Sequence, residues 1–309
     1  MYADNRAEAR SGGNGPPARS TNLRRSLPGR GDTMEVMCGR YAVTTDPALL
    51  AAELDAIDEV TPNRPDTGTT GEARGPSRPG VNYNVAPTTT VMTVVRRHDH
   101  DNPDGGDSSG DPALRVRAMR WGLVPAWTKD LAKSPLLFNA RAESVAEKAS
   151  FRTSLKGRRC LVPMDGWYEW RKGTGPDGKP TKTPYFMSPV DGTRLFMAGL
   201  WTTWRPKDAD RDATPLMSCT IITTDAVGPL RDIHDRMPLV MPSDHWDAWL
   251  DPDNPPPDTL LAPPSEQLVD AIDLREVAPL VNRVANNGPE LLDPVDSSAE
   301  QLPEQGTLL

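Results

Sequence analysis

Met37 and Cys38 sit side by side in GDTMEVMCGRYAV (31–43), a thiol directly after the residue type that ordinarily opens a chain. Five further polar islands follow in order: YNVAPT (83–88), RWGLVPAW (120–127), FNARAES (138–144), DGWYEW (165–170) and IHDRMP (233–238). Each mixes a functional side chain with Gly, Pro or an aromatic ring, as expected where a loop is held rigid at a site. Glu169, between Tyr168 and Trp170, is either a solvent-facing carboxylate or a buried acid with a raised pKa, and the buried form suits general acid–base work. His234 is one of four histidines; His98 and His100 lie in an acidic stretch and His245 in a helical run. Its neighbours Asp232, Asp235 and Arg236 suit a plain surface histidine, while the Met-Pro-Leu-Val run after them puts it at the mouth of a strand. Asn139 and Arg141 could line a site or simply cap a following helix. Taken singly, Trp121, Trp127, Trp167 and Trp201 read as core. Cys160 and Cys219 read as small buried hydrophobes.

The frame that must position these islands reads mostly as strands. Residues 91–97, 114–121, 159–163, 194–201, 218–224 and 237–241 are β-branched or alternating runs bounded by turn residues. Helices are expected over TTDPALLAAELDAI, capped by Thr45 or Asp46 with Pro47 in the first turn, over residues 140–151, and over PSDHWDAWL from a Ser243 cap. Strands without regular helix alternation predict an α+β domain around a curved, barrel-like antiparallel sheet with a few flanking helices. Stretches 61–80 and 98–112 read as long solvated loops, and 171–183 and 205–214 as shorter hairpin insertions. The expected organisation is a disordered or misassigned extension over 1–37, one domain over 38–295, and an acidic flexible tail over 296–309.

Composition limits the function classes. The chain has 309 residues, enough to bury a core, with 37% hydrophobic residues diluted by 33 Pro and 24 Gly. No apolar run approaches the roughly 18 residues of a membrane span. Residues 1–36 hold six arginines but no apolar signal-peptide segment. Three scattered cysteines exclude a disulfide framework and a C-x-x-C zinc site, so a reducing cytoplasm is expected. The net charge of −8 is concentrated: five aspartates in 98–112 and four acids in 292–309 leave the remainder near +1. Global acidity therefore does not exclude a locally basic nucleic-acid groove.

Together the six islands, with the late VNRVANNGPELLDPV (281–295), resemble the SRAP (SOS response-associated peptidase) family, also called abasic-site processing proteins. The resemblance covers essentially all of 37–295. It implies a β-rich α+β fold, and covalent capture of abasic sites in single-stranded DNA by a cysteine that follows the initiator methionine. That cysteine would be Cys38, with Met37 as initiator and residues 1–36 a misassigned extension. A free N-terminal cysteine carries an α-amine of pKa about 7.7–8.0 and a thiol of pKa about 8.5 on adjacent carbons. The amine condenses with the sugar aldehyde, the sulfur attacks the imine carbon, and a thiazolidine closes in an effectively unimolecular step. An internal cysteine offers only an amide nitrogen and a labile thiohemiacetal.

The resemblance further implies that Glu169 is the general acid/base and that His234 assists ring opening and any β-elimination. Asn139 would orient the cysteine or sugar, and Thr223 would support the pocket. Arg40, Arg141 and Arg236 would hold phosphates. Pro87 and Trp127 would be apolar surfaces for bases; Thr128 stands where some bacterial members have a second Trp. Neither cofactor nor metal is implied. The expected partner is single-stranded DNA bearing abasic sites, bound by a monomer at the bacterial nucleoid, with no membrane and with any replication-fork partner unidentified. Two rival functions are a thiol autoprotease using Cys38, His234 and Asn139, and a non-covalent single-stranded DNA binding module.

Overall fold

A computed structural model describes residues 38–61, 79–98, 110–210 and 213–295. The 1–37 extension with Met37, most of the 61–80 and 98–112 loops, residues 211–212, and the 296–309 tail lie outside the described residues. In chain order the elements are β1 (Arg40–Val43), α1 (Pro47–Glu53), β2 (Ile57–Asp58), β3 (Asn82–Val85), β4 (Thr90–Arg97), β5 (Ala113–Trp121), β6 (Asn139–Arg141), α2 (Arg152–Gly157) and β7 (Arg159–Met164). They continue with β8 (Gly166–Thr174), β9 (Pro180–Pro189), β10 (Leu195–Trp204), β11 (Leu216–Asp225), β12 (Arg236–Pro238), α3 (Trp246–Leu250), α4 (Glu266–Asp270) and β13 (Ile272–Glu276).

Two sheets result. A five-stranded antiparallel sheet has the order β13-β9-β8-β1-β3. The second runs β12-β11-β10-β7-β4-β5-β2, and because β11 also pairs with β5 the strands β5, β4, β7, β10 and β11 close into a ring. The α+β class and the curved sheet are as the sequence predicts, with one difference. Ring closure is parallel, Ser218 opposite Arg120 and Cys219 opposite Trp121, and β6 and β2 also join in parallel. Turn residues mark antiparallel hairpin neighbours; a parallel contact between strands far apart in sequence leaves no such mark.

Local rules account for most elements. β4 is rich in β-branched residues, and Val91, Val94 and Val95 are buried. β10 is buried along nearly its whole length, with Leu195, Phe196, Met197, Ala198, Leu200 and Trp201 all in one hydrophobic core. A Cβ at its Gly199 would meet Cys160 Sγ and the Thr220 carbonyl oxygen at 2.9 Å. The predicted 171–183 insertion is the β8–β9 hairpin, closed where Gly175 N–H donates to the Lys179 carbonyl. Asp46 caps α1, accepting from Ala48 N–H at 2.8 Å, with Pro47 in the first turn.

Two helix expectations are corrected. Residues 139–141 form β6, 142–144 a 3-10 turn, and helix begins only at Arg152. Pairing of β6 with β11, seen in Ile221 N–H bonding to the Phe138 carbonyl, outweighs the local helix propensity. Ser243 opens a 3-10 turn without a capping bond, and α3 starts at Trp246.

The main core spans both sheets, with Tyr41, Trp121, Leu161, Trp167 and Met197 all buried within it. A smaller core lies on the outer face of the five-stranded sheet, where Ala42, Tyr168 and Phe186 meet Val277, Val281 and Leu291. Alternation along β1 and β8 separates the two: Tyr41 and Trp167 point inward, Ala42 and Tyr168 outward.

Candidate active site and nucleic-acid interface

Cys38 lies immediately before β1, 3% exposed, with φ +42° in the left-handed region. Its backbone nitrogen donates to Glu169 Oε1 at 2.7 Å. With residue 37 attached this nitrogen is a peptide amide; in a chain beginning at Cys38 the same atom is the α-amine. Glu169 follows Trp167 by two places on β8 and is 1% exposed, so it is the buried acid rather than the solvent-facing one. Burial, with a smaller push from the Asp235 charge, raises its pKa to about 8 against the opposing pull of its Cys38 hydrogen bonds. The carboxyl therefore keeps its proton at neutral pH. Burial first, and then the same carboxyl, push the Cys38 thiol well above its ordinary range. Glu169 Oε2 and Thr223 Oγ1 are buried without a hydrogen-bond partner among the described residues, leaving polar capacity for a ligand or water.

Strand pairing brings the other groups to this end of the ring. On β6, Asn139 sits opposite Ile221 and Arg141 opposite Thr223, which also faces Pro238 of β12. Asn139 Nδ2 reaches the Cys38 carbonyl at 3.4 Å. His234 precedes β12; its Nδ1 accepts the Arg236 backbone N–H at 3.0 Å and lies 3.0 Å from Asp235 Oδ1. One Nδ1 cannot accept the first and donate to the second in the same tautomer. Burial lowers the His234 pKa despite Asp235, and that carboxylate is 83% exposed, so the neutral ring with its proton on Nε2 is favoured. His234 has no hydrogen bond to Cys38 or Glu169 among the described residues.

The three arginines differ. The Arg236 side chain is 7% exposed and forks onto Glu143 at 2.8 and 3.0 Å; it also bonds Asp225 and, at 2.8 Å, the Thr223 carbonyl. Those bonds occupy both terminal nitrogens, so Arg236 clamps the 3-10 turn after β6 to β11 and β12. Arg40 donates to Asn84 Oδ1 at 2.9 Å and the Val281 carbonyl at 2.7 Å. Arg141 is exposed. Trp127 is 60% exposed, unlike the core residues Trp121, Trp167 and Trp201, and Pro87 is half-buried. Thr128 is buried, its N–H bonded to the Pro125 carbonyl and its own carbonyl to Trp204 Nε1.

Sequence reasoning missed Asn84, Glu143 and Asp225 as organising groups. Asn84 lies inside a quoted island, but its partners at 281–286 are remote in sequence. Among the described residues no cluster of three or more His, Cys, Asp or Glu is arranged to hold a metal ion, and no helix is long and apolar enough to cross a membrane.

The chain matches the family model described as SOS response associated peptidase (SRAP) over residues 37–284. It is 34% identical over 257 residues to the abasic site processing protein YoaM of Bacillus subtilis, covering 83% of this chain and 98% of that relative. Identity to the abasic site processing protein HMCES of Rattus norvegicus is 33% over 258 residues, covering 75% and 70% of the two chains. The crystal structure of a protein from Bacteroides thetaiotaomicron superposes with a TM-score of 0.63 over 83% of this chain and 99% of that one; at 22% identity this likeness concerns the fold alone.

Proposed function

The chain belongs to the SOS response associated peptidase family, and on that premise we propose that it processes abasic sites in DNA by covalent capture, with Cys38 as the first residue of the mature protein. The observation that carries this reading is the 2.7 Å contact between the Cys38 nitrogen and Glu169 Oε1. A carboxyl at that position can protonate or deprotonate whatever forms on the nitrogen, and a pKa of about 8 lets it hold or release a proton near neutral pH. The family match opening at residue 37 supports Met37 as the initiator.

The neutral α-amine adds to the aldehyde carbon of the ring-opened sugar. One N–H proton passes to the former aldehyde oxygen; Glu169 then protonates that hydroxyl, water leaves, the remaining N–H proton returns to the Glu169 carboxylate, and an imine remains. The Cys38 thiol then adds across the C=N bond: sulfur bonds to carbon, its proton passes through Glu169 to nitrogen, and a five-membered thiazolidine closes. One water is lost overall. Closure is intramolecular, so the raised thiol pKa is offset by proximity. Asn139 steadies the cysteine through its carbonyl. His234, with its proton on Nε2, is the donor for ring opening and for any later elimination of the 3′ phosphate. Arg141 and Trp127, both exposed, are the phosphate and base contacts for single-stranded DNA.

A second reading, self-cleavage at the 37–38 peptide, is favoured by the left-handed φ of Cys38, which for an L-residue costs roughly 1–2 kcal/mol in the residue that follows that bond. One experiment separates the readings. The full chain and a chain begun at Met37 are incubated with single-stranded DNA containing an abasic site, then resolved on a denaturing gel beside intact mass. Covalent capture gives a heat-stable shifted band for the short chain only, lost in Cys38→Ala. Self-cleavage converts the long chain unaided, and Cys38→Ala blocks the conversion. No surviving band in any lane leaves a non-covalent binding module and overturns the proposal.

A further inference from the structure

The late motif at 281–287 forms no sheet strand, yet side chains tie it down at every turn. Asn84, 2% exposed, directs Nδ2 at the carbonyls of Val281, Arg283 and Asn286 at 3.2, 3.1 and 3.0 Å. Tyr83 N–H donates to Asn287 Oδ1 at 2.7 Å. The strap so held lies on the outer face of the five-stranded sheet, with Val281 in the small core beside Ala42 and Tyr168.

Two of its bonds reach back toward the site. Trp170 Nε1 donates to Asn282 Oδ1 at 2.7 Å, and Arg40 donates to the Val281 carbonyl at 2.7 Å while lying 5.9 Å from the centre of the Trp170 ring. In the β1–β8 register Arg40, two places after Cys38, faces Tyr168, which lies two places before Trp170 on β8. The strap therefore grips the residue next to Glu169 and the residue two places after Cys38, from the opposite side of the sheet. Cys38 itself lies outside any strand and holds a left-handed backbone that its surroundings must enforce.

We infer that residues 281–287 are a positioning element for the Cys38–Glu169 pair, acting through Asn282 on Trp170. This rests on the reading of that pair given above. Asn282 bonds Trp170 rather than Cys38 or Glu169, and through Trp170 it sets where β8 carries Glu169 relative to the cysteine. Displacements near 1 Å at a reacting pair cost up to about 100-fold in rate.

The test uses the chain begun at Met37 and three variants: Asn282→Ala removes the acceptor, Asn282→Asp retains it, and Trp170→Phe removes the donor. Two readouts are followed: the pH profile of adduct formation on abasic single-stranded DNA, and the 13C titration of the Glu169 carboxyl in DNA-free protein. Asn282→Ala and Trp170→Phe are each expected to slow adduct formation about tenfold, with single-stranded DNA affinity within about twofold of wild type. Both should move the Glu169 midpoint downward as water reaches the loosened carboxyl, the double variant should be no worse than either single one, and Asn282→Asp should restore rate and midpoint. Unchanged rate and midpoint in Asn282→Ala overturn the inference. A wild-type chain that forms no adduct overturns the capture reading instead, and the carboxyl titration still decides whether the strap positions Glu169.

Discussion

The backbone nitrogen of Cys38 and the carboxyl of Glu169, 131 residues apart in the chain, meet at 2.7 Å in the interior, where both residues are almost wholly buried. A carboxyl of pKa about 8 beside this nitrogen can hold or release a proton near neutral pH. Its chemistry and its cost to the fold are the same fact.

That cost is measurable. The folded carboxyl ionises near 8 and the unfolded one near about 4.3, so between those values the unfolded state binds fewer protons and stability falls as pH rises. Glu169→Gln, which keeps an acceptor for the Cys38 nitrogen but cannot ionise, should be more stable than wild type by on the order of a few kcal/mol at pH 8, with no gain at pH 4. Urea denaturation at the two pH values checks this. The same variant should lose about 100-fold or more in adduct formation, because no proton remains to transfer.

The state of the chain end should be visible at Glu169. Converting the Cys38 amide to an α-ammonium places a cation against the carboxyl, which favours ionisation and lowers its pKa. The Glu169 midpoint in a chain beginning at Cys38 should therefore lie below the value of about 8 found with the upstream residue attached. A 13C titration of both forms makes the comparison; equal midpoints would show that the amine does not lie against the carboxyl.

Arg236 and Arg141 should fail in different ways. Arg236→Ala leaves Glu143 and Asp225 without their shared partner and loosens the 3-10 turn after β6 from β11 and β12. Both acids are at least half exposed and can rehydrate, so the expected destabilisation is about 2 kcal/mol rather than the larger loss typical of a fully buried pair. Arg141→Ala should leave the melting temperature unchanged, weaken single-stranded DNA binding, and reduce the salt slope by about 0.7. Thermal melts and a salt titration of binding distinguish them.

Trp127 offers an indole that is 60% exposed. Trp127→Ala should weaken single-stranded DNA by about 1–3 kcal/mol, the worth of one stacked base, with stability within about 0.5 kcal/mol of wild type. Fluorescence anisotropy on an oligothymidylate provides the affinity. An unchanged affinity would remove Trp127 from the interface.

The strands that a local pattern could announce were legible in the sequence. β4, β7, β10 and β11 carry β-branched and aromatic residues in runs bounded by turns, and α1 carries its Asp46 cap and Pro47. Helix propensity over 140–151 is a local signal, whereas the pairing of Asn139–Arg141 with β11 depends on a partner some eighty residues away, so the strand there carries no local mark. The islands around Cys38, Asn139, Glu169 and His234 could be picked out by residue type. Whether Glu169 faced water or the interior could not, since a strand alternates its faces and only the sheet's partners determine which face is covered.

Sequence alone determined the inventory: a cysteine after a methionine, an acid between aromatics, a histidine before a strand, and the six ordered motifs that place the chain in its family. Tertiary structure decided what each group can do. It buried Glu169 and so raised its pKa, committed Arg236 to Glu143 and Asp225, left Arg141 and Trp127 exposed, and fastened the 281–287 strap behind the pair. The physical reason is that burial, field and hydrogen-bond partner are properties of a place in the fold. Residue type sets only the range over which that place can act.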